Sequence, residues 1–313
     1  MNLDGRKVLV TGGAGFIGSH LVQALLARGA RVSVVDNLTT GSPTNLRQAG
    51  TRVELIQMDI NCPDFEALVA QGFDVICHFA GNAYVPASVE DPQTDFDVNL
   101  RVAFRILETI RQSKLDTVLL YPSSAAVYGS PRQLPITESS PLAPISPYGV
   151  SKLAAERYIA VYSEIYGVRG ASLRLFSCYG PRQRKQIVYD FIHKLDRNPK
   201  QLLIYGDGTQ ERDFCFVDDT VEAALIVLER GKLQGEVYNV ASGRSCSTAE
   251  LAHLVAESME LTPELRFTGQ VRPGDAQIWR ADISRLQVLG YRPQVSLEEG
   301  IARTLRWYRE QGK

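Results

Sequence analysis

Short apolar runs recur through the first half of the chain, and the stretches between them follow a different rhythm. KVLVT (7–11), RVSVVD (31–36), VELIQ (53–57), DVICHFA (74–80), TVLLYP (117–122) and GASLRLF (170–176) have strand length and are apolar nearly throughout. Between the first two, IGSHLVQALLARG (17–29) sets Leu21, Leu25 and Leu26 on one helical face. Strands apolar on both faces, alternating with helices, point to a parallel sheet covered on both sides. The pattern predicts a doubly wound α/β domain over residues 1–176. From about residue 177, Gly, Pro and charge break the rhythm in GPRQRKQ (180–186), LIYGDGTQERDF (203–214) and GQVRPGDAQ (269–277). This predicts a smaller, loop-rich lobe, mainly over 177–313. The stretch 213–241 is expected to return to the first lobe as a strand and helix. Leu297, Ile301 and Leu305 lie four apart, so 296–311 reads as a terminal amphipathic helix.

Composition narrows the function classes. The chain has 313 residues, is 44% hydrophobic and carries a formal net charge of −1 without a Lys/Arg run, which argues against nucleic acid as a partner. No stretch approaches the roughly 20 apolar residues of a membrane span, and MNLDGRKVLV lacks a signal peptide's apolar core. Five scattered cysteines, an odd number without metal-ligand spacing, predict reduced thiols, a cytoplasmic setting and no metal.

VTGGAGFIGSH places Gly12, Gly15 and Gly18 three residues apart, after a strand and at the start of a helix. Without Cβ atoms a pyrophosphate can approach the backbone, and the helix N-terminus offers free N–H groups. The second strand ends in Asp36, where a carboxylate can accept both ribose hydroxyls and would repel a 2′-phosphate. Asp59, after the third strand, is placed to meet the adenine amine, and HFAG (78–81) lets the chain pass close beneath a cofactor. A Rossmann-type fold binding NAD is the reading.

SPYGVSKLAAERY (146–158) sets Tyr148 and Lys152 one turn apart on one helical face. A free phenol, with a pKa of about 10, is a poor base at neutral pH. An ammonium about 4 Å away contributes on the order of 4 kcal/mol at an effective dielectric of about 20. That would draw the phenol towards neutrality. Tyr148 is then expected to take the proton of a substrate hydroxyl while the adjacent carbon passes hydride to NAD. Ser124, at the end of a neighbouring strand, would hydrogen-bond the same oxygen, and Lys152 would hold the nicotinamide ribose.

With TGGAGFIGSH, VDNLTTG, HFAG, ASVEDP, DFDVNL, SSAAVYG, SPYGVSK, GDGTQERDF, RPGD and ADISR in this order, the chain resembles the extended short-chain dehydrogenase/reductases that act on nucleotide-linked sugars. The resemblance implies Ser124, Tyr148 and Lys152 as the catalytic set. It adds Phe16, Ile17, Asn37, Ile60, Phe79, Ala80, Gly81 and Asn99 to the cofactor site. It also implies a homodimer packed through two helices per subunit, one beginning at Tyr148. A UDP-sugar is the expected substrate. Tyr205 is expected against the base, Arg212 and Arg272 at the diphosphate, Asp275 at a ribose hydroxyl, and Ser177 where the family's usual Asn touches the sugar.

Relatives of this kind first oxidise the sugar at C4 and then diverge. The 4,6-dehydratases carry Asp and Glu directly after the catalytic hydroxyl residue, whereas this chain has Ala125 and Ala126. Neither methyl transfers a proton, which suits a 4-epimerase. Three departures weigh the other way: Ser177-Cys178 for the usual Asn, Arg280 at the expected pocket-limiting position, and Tyr121-Pro122 before the catalytic hydroxyls. Together they narrowly favour a 5,6-dehydratase of UDP-N-acetylglucosamine, with the 4-epimerase as alternative. A catalytically silent protein that binds NAD and a UDP-sugar is the reading from another class.

Overall fold

The computed structural model describes residues 1–270 and 277–311. The apolar runs become β1 (Lys7–Thr11), β2 (Arg31–Asp36), β3 (Val53–Gln57), β4 (Val75–His78), β5 (Val118–Ser124) and β6 (Gly170–Leu175). Helices α1 (Phe16–Ala27), α2 (Asp64–Ala70), α3 (Val85–Glu90), α4 (Pro92–Phe96), α5 (Val102–Gln112) and α6 (Pro147–Tyr166) lie between them. A later strand, β10 (Gln234–Val240), completes a seven-stranded parallel sheet in the order β10-β6-β5-β4-β1-β2-β3.

Alternate residues of each strand feed opposite faces, which is why whole runs are apolar. Val8, Val10, Val32 and Val34 pack with Leu21 and Leu25 of α1 and with Val221 and Leu225 of α8 (Val217–Arg230). Leu9, Val35, Ile76 and Leu119 pack on the other side with Phe65, Ile106 and Ile110. Each such buried side chain contributes roughly 1.5–3 kcal/mol relative to exposure.

The remaining elements build two smaller sheets and the helices around them. Strands β7 (Ser177–Tyr179), β9 (Glu211–Phe216) and β11 (Ser245–Ser247) form one small sheet; β8 (Gln201–Ile204) and β12 (Glu264–Phe267) form another. Helix α9 (Thr248–Ser258) packs between α7 (Ile187–Arg197) and α11 (Leu297–Gln311), and α10 (Ser284–Val288) packs on β10. Ile301 and Leu305 of α11 are buried, as their spacing predicts. No helix among the described residues is long and apolar enough to cross a membrane.

Candidate active site

The glycine turn between β1 and α1 is held by contacts that tolerate no side chain. Gly12 has φ +68°, and a Cβ there would lie 2.6 Å from the Ala80 nitrogen, so the turn rests directly on the end of β4. A Cβ at Gly18 would fall 2.2 Å from the Gly12 carbonyl oxygen, which brings the first turn of α1 onto the same loop. Gly15 is the N-cap of α1; no side chain caps the helix and no acid occupies its first turn. Its leading N–H groups are therefore available to an anion. Phe16 and Ile17 lean against the core beside them.

The buried Asp36 carboxylate sits at the mouth of this turn, accepting from Ala14 N at 3.0 Å and Leu38 N at 2.8 Å. Asn37 donates to Asp59 at 3.0 Å, and Asp59 also accepts from Asn61 N at 2.8 Å. The Asn61 bond first, then that of Asn37, holds the Asp59 carboxyl below its ordinary range. Ile60 is buried in the core beneath. Phe79 and Ala80 donate to Thr11, through its carbonyl at 3.0 Å and its hydroxyl at 3.1 Å. Gly81, at φ +156°, lets the Asn99 amide approach; a Cβ there would lie 2.6 Å from Asn99 Oδ1. Asn99 lies in a single π-helical turn (Asp97–Arg101), a geometry frequent at functional sites. Its nitrogen donates to Asn82 O and Asp95 Oδ1, while the buried Oδ1 has no partner among the described residues. A glycine cradle, an open helix N-terminus, a buried carboxylate at the mouth of the turn and an orphaned amide oxygen fit NAD.

Ser124, Tyr148 and Lys152, the residues expected to handle protons, come together where β5 meets α6. Ser146 caps α6 by accepting from Gly149 N at 3.2 Å, Pro147 opens the helix, and left-handed Gly167 ends it. Tyr148, in the first turn, donates its backbone N–H to Ser88 Oγ at 3.2 Å. Ser124, the last residue of β5, hydrogen-bonds the Tyr148 phenol. Lys152 donates to Pro122 O at 2.9 Å and lies 4.7 Å from the centre of the Tyr121 ring.

The expected lowering of the phenol is not found in the protein alone. Burial pushes Tyr148 up to about 12; the Ser124 bond pulls back, and the charge of Asp95 adds to the rise. Lys152 Nζ lies 5.7 Å from the Tyr148 ring centre and gives a hydrogen bond to Pro122, so its charge does not offset desolvation. Burial brings Lys152 itself down to about 8, against the opposing pull of Asp95 and Glu156.

Several contributors escaped the sequence reading. Asp95 and Ser88 lie in motifs quoted above, but nothing in their spacing reveals that one faces Lys152 electrostatically and the other holds Tyr148 N. The Tyr121-Pro122 departure supplies the ring and the carbonyl that receive Lys152, and Tyr121 also donates to Asn99 O at 2.9 Å.

Where the substrate is expected, Ser177 pairs with Phe214 across β7 and β9. Cys178 Sγ accepts from Thr220 at 3.3 Å, and burial raises its thiol well above the ordinary value. Tyr205 is exposed just beyond β8, with Lys194 Nζ 5.7 Å from its ring. The Arg212 guanidinium lies 4.9 Å from the Trp279 ring and donates to Gln277 O at 3.2 Å. Arg280, at the expected pocket-limiting position, is held by neighbouring polar groups. It is tied back to Glu211 at 2.8 Å and Ser245 at 3.1 Å, and the preceding Trp279 donates to Gly129 O at 3.1 Å, just past the turn 125–128. Arg272 and Asp275 lie outside the described residues.

Comparison with known proteins agrees with this geometry. The sequence profile of the NAD dependent epimerase/dehydratase family matches residues 8–241. The chain belongs to the NAD dependent epimerase/dehydratase family. It is similar to a UDP-glucose 4-epimerase of Mycolicibacterium smegmatis, 37% identical over 98% of this chain and 100% of the relative. The solved UDP-glucose 4-epimerase of Thermotoga maritima with UDP-glucose has a TM-score of 0.91 at 32% identity, covering 98% of this chain and 100% of that one. A dTDP-glucose 4,6-dehydratase of Streptomyces venezuelae with NAD bound has a TM-score of 0.88 at 33% identity, covering 97% of each chain. The chain is thus an NAD-dependent enzyme of the epimerase/dehydratase kind.

Proposed function

We propose that this family member is a UDP-hexose 4-epimerase. The observation that carries the reading is the turn after Ser124, where Ala125 and Ala126 are buried and neither can move a proton. The similar epimerases support the same outcome. The narrow preference for a 5,6-dehydratase loses support on both counts. It needs a further acid/base group, and the Cys178 thiol, raised by burial, stays protonated.

When bound, NAD supplies a reversible two-electron acceptor for C4 and a positive ring near the phenol. Gly12, Gly15 and Gly18 with the α1 N-terminus would hold its pyrophosphate, Asp36 the adenosine ribose, Asn37 and Asp59 the adenine end, and Phe79 to Gly81 with Asn99 the chain beneath it. Tyr148 takes the C4 hydroxyl proton and returns it after the sugar has presented its other face. Ser124 fixes that oxygen, and Lys152, cationic below about pH 8, favours the phenolate and holds the nicotinamide ribose. Tyr205 faces the base, Arg212 the diphosphate and Ser177 the sugar; Arg272 and Asp275 belong to the same proposal. A second copy packs against α5 and α6 through Phe104, Tyr158, Val161 and Ile165, all exposed.

Incubation with UDP-glucose and UDP-N-acetylglucosamine in deuterated water, followed by NMR, tests the reaction. A C4-inverted sugar without deuterium at C5 is expected. An exocyclic alkene would return the assignment to the dehydratase, and no product from any UDP- or dTDP-hexose would end both.

A further inference from the structure

Ser123 is one of two adjacent hydroxyls at the end of β5, and the mechanism uses only the other. Its surroundings assign it a different task. In the sheet register Ser123 lies beside Arg174 of β6, and Arg174 lies beside Asn239 of β10. All three are buried, so a polar row crosses three neighbouring strands. Helix α6 closes over it: Glu156, one turn beyond Lys152, accepts from Ser123 Oγ and pairs with Arg174 at 2.8 Å. The row also reaches past Ser124. Tyr128, at the end of the catalytic turn, accepts from Arg174 at 2.8 Å and donates to Asn239 Oδ1 at 2.7 Å. Asn239 Nδ2 donates onward to Ile136 O at 2.9 Å and to Asp282 O at 3.1 Å, the latter in the segment that carries Trp279 and Arg280.

Three successive turns of α6 therefore meet the end of β5: Tyr148 at Ser124, Lys152 at Pro122 and Glu156 at Ser123. Stability alone gives little reason for this arrangement. A fully buried ion pair is commonly no better than apolar packing of the same volume, and its directional bonds are best suited to fixing register. We propose that Ser123, Glu156, Arg174, Tyr128 and Asn239 form a positioning frame. It fixes the turn 124–128 against α6 from both ends and ties it to the substrate-side segment.

This rests on the assignment of Ser124 and Tyr148 above, so its test carries two separate readouts. Ser123→Ala and Tyr128→Phe leave the Glu156–Arg174 pair intact and are prepared as NAD-loaded full-length protein beside Ser123→Thr and wild type. The first readout is turnover of UDP-glucose. In Ser123→Ala and Tyr128→Phe, kcat should fall by about tenfold, with KM, bound NAD and Tm little changed, and Thr at 123 should restore the rate. The second needs no turnover: amide hydrogen exchange at 125–129 should quicken about tenfold or more in the same two variants. Wild-type kcat and exchange in both variants would overturn the frame, as would a loss of rate that merely follows lost Tm or NAD and is not restored by Thr. Should wild type turn over no UDP-hexose, the functional assignment fails. The frame is then judged on exchange alone, and unchanged exchange overturns it.

Discussion

Tyr148 holds its proton more tightly than a phenol in water because it is buried and the Ser124 hydroxyl offsets that only in part. The rate should therefore depend steeply on that one oxygen. Tyr148→Phe is expected to lose about 10³-fold in kcat while retaining NAD, measured by turnover and by cofactor absorbance after gel filtration. His78 gives a second residue-scale expectation. It is wholly buried, its Nδ1 pairs with the Thr11 hydroxyl at 2.8 Å, and burial, with Lys152 nearby, lowers it to about 3. The unfolded chain binds a proton at this residue below about pH 6.5, where the folded chain does not. Stability should fall as pH drops from about 6.5, by roughly 1.4 kcal/mol per pH unit for this one group. Denaturant titrations of His78→Gln should show a shallower decline between pH 6 and 4. An identical slope would remove His78 as the source.

At the scale of elements, the β1–α1 unit was readable because its requirements are steric and periodic. Glycines at three-residue spacing after an apolar strand gained meaning from Asp36 at the end of the second strand, and the added Cβ contacts at Gly12 and Gly18 show why no other residue serves there. Gly18→Val should force α1 off the turn and weaken NAD binding by more than about tenfold, as measured by fluorescence titration. Unchanged affinity would mean that the turn adapts. Strand–helix alternation, with apolar runs of five to seven residues, likewise made the main sheet legible. The small sheets did not announce themselves. β7 and β11 have three residues each and show no clean burial alternation, so composition revealed a loop-rich lobe but not its pairings. Nor does a charged residue advertise that it is buried. Arg174 reads as an interruption in GASLRLF, and Glu156 as an ordinary exposed helix position, until the sheet register brings them together. Tyr148 and Lys152 were legible as neighbours on one helical face, but their electrostatics were not, because the direction of the Lys152 hydrogen bond depends on β5 lying beneath it.

At the scale of the molecule, the outer face of α5 and α6 carries an aromatic ladder. Phe104 meets Tyr158 edge-on at 5.3 Å, and Tyr162 meets Tyr166 at 5.0 Å. Exposed Val161 and Ile165 continue the apolar patch. If this face joins two copies, wild type should elute as a dimer and Val161→Glu/Ile165→Glu as a monomer in light scattering. A monomeric wild type would refute the proposed pairing.

The path of the chain through the sheet has a consequence for protein engineering. After β6 it leaves to build β7, β8 and β9, and only then comes back through α8 to lay β10 along the open side of β6. A fragment ending at residue 176 would bare the N–H and C=O groups of an apolar strand and should precipitate rather than fold. Any graft that exchanges the elements outside the main sheet after residue 176 must therefore leave residues 217–240 with the host, cutting the chain at three points instead of one.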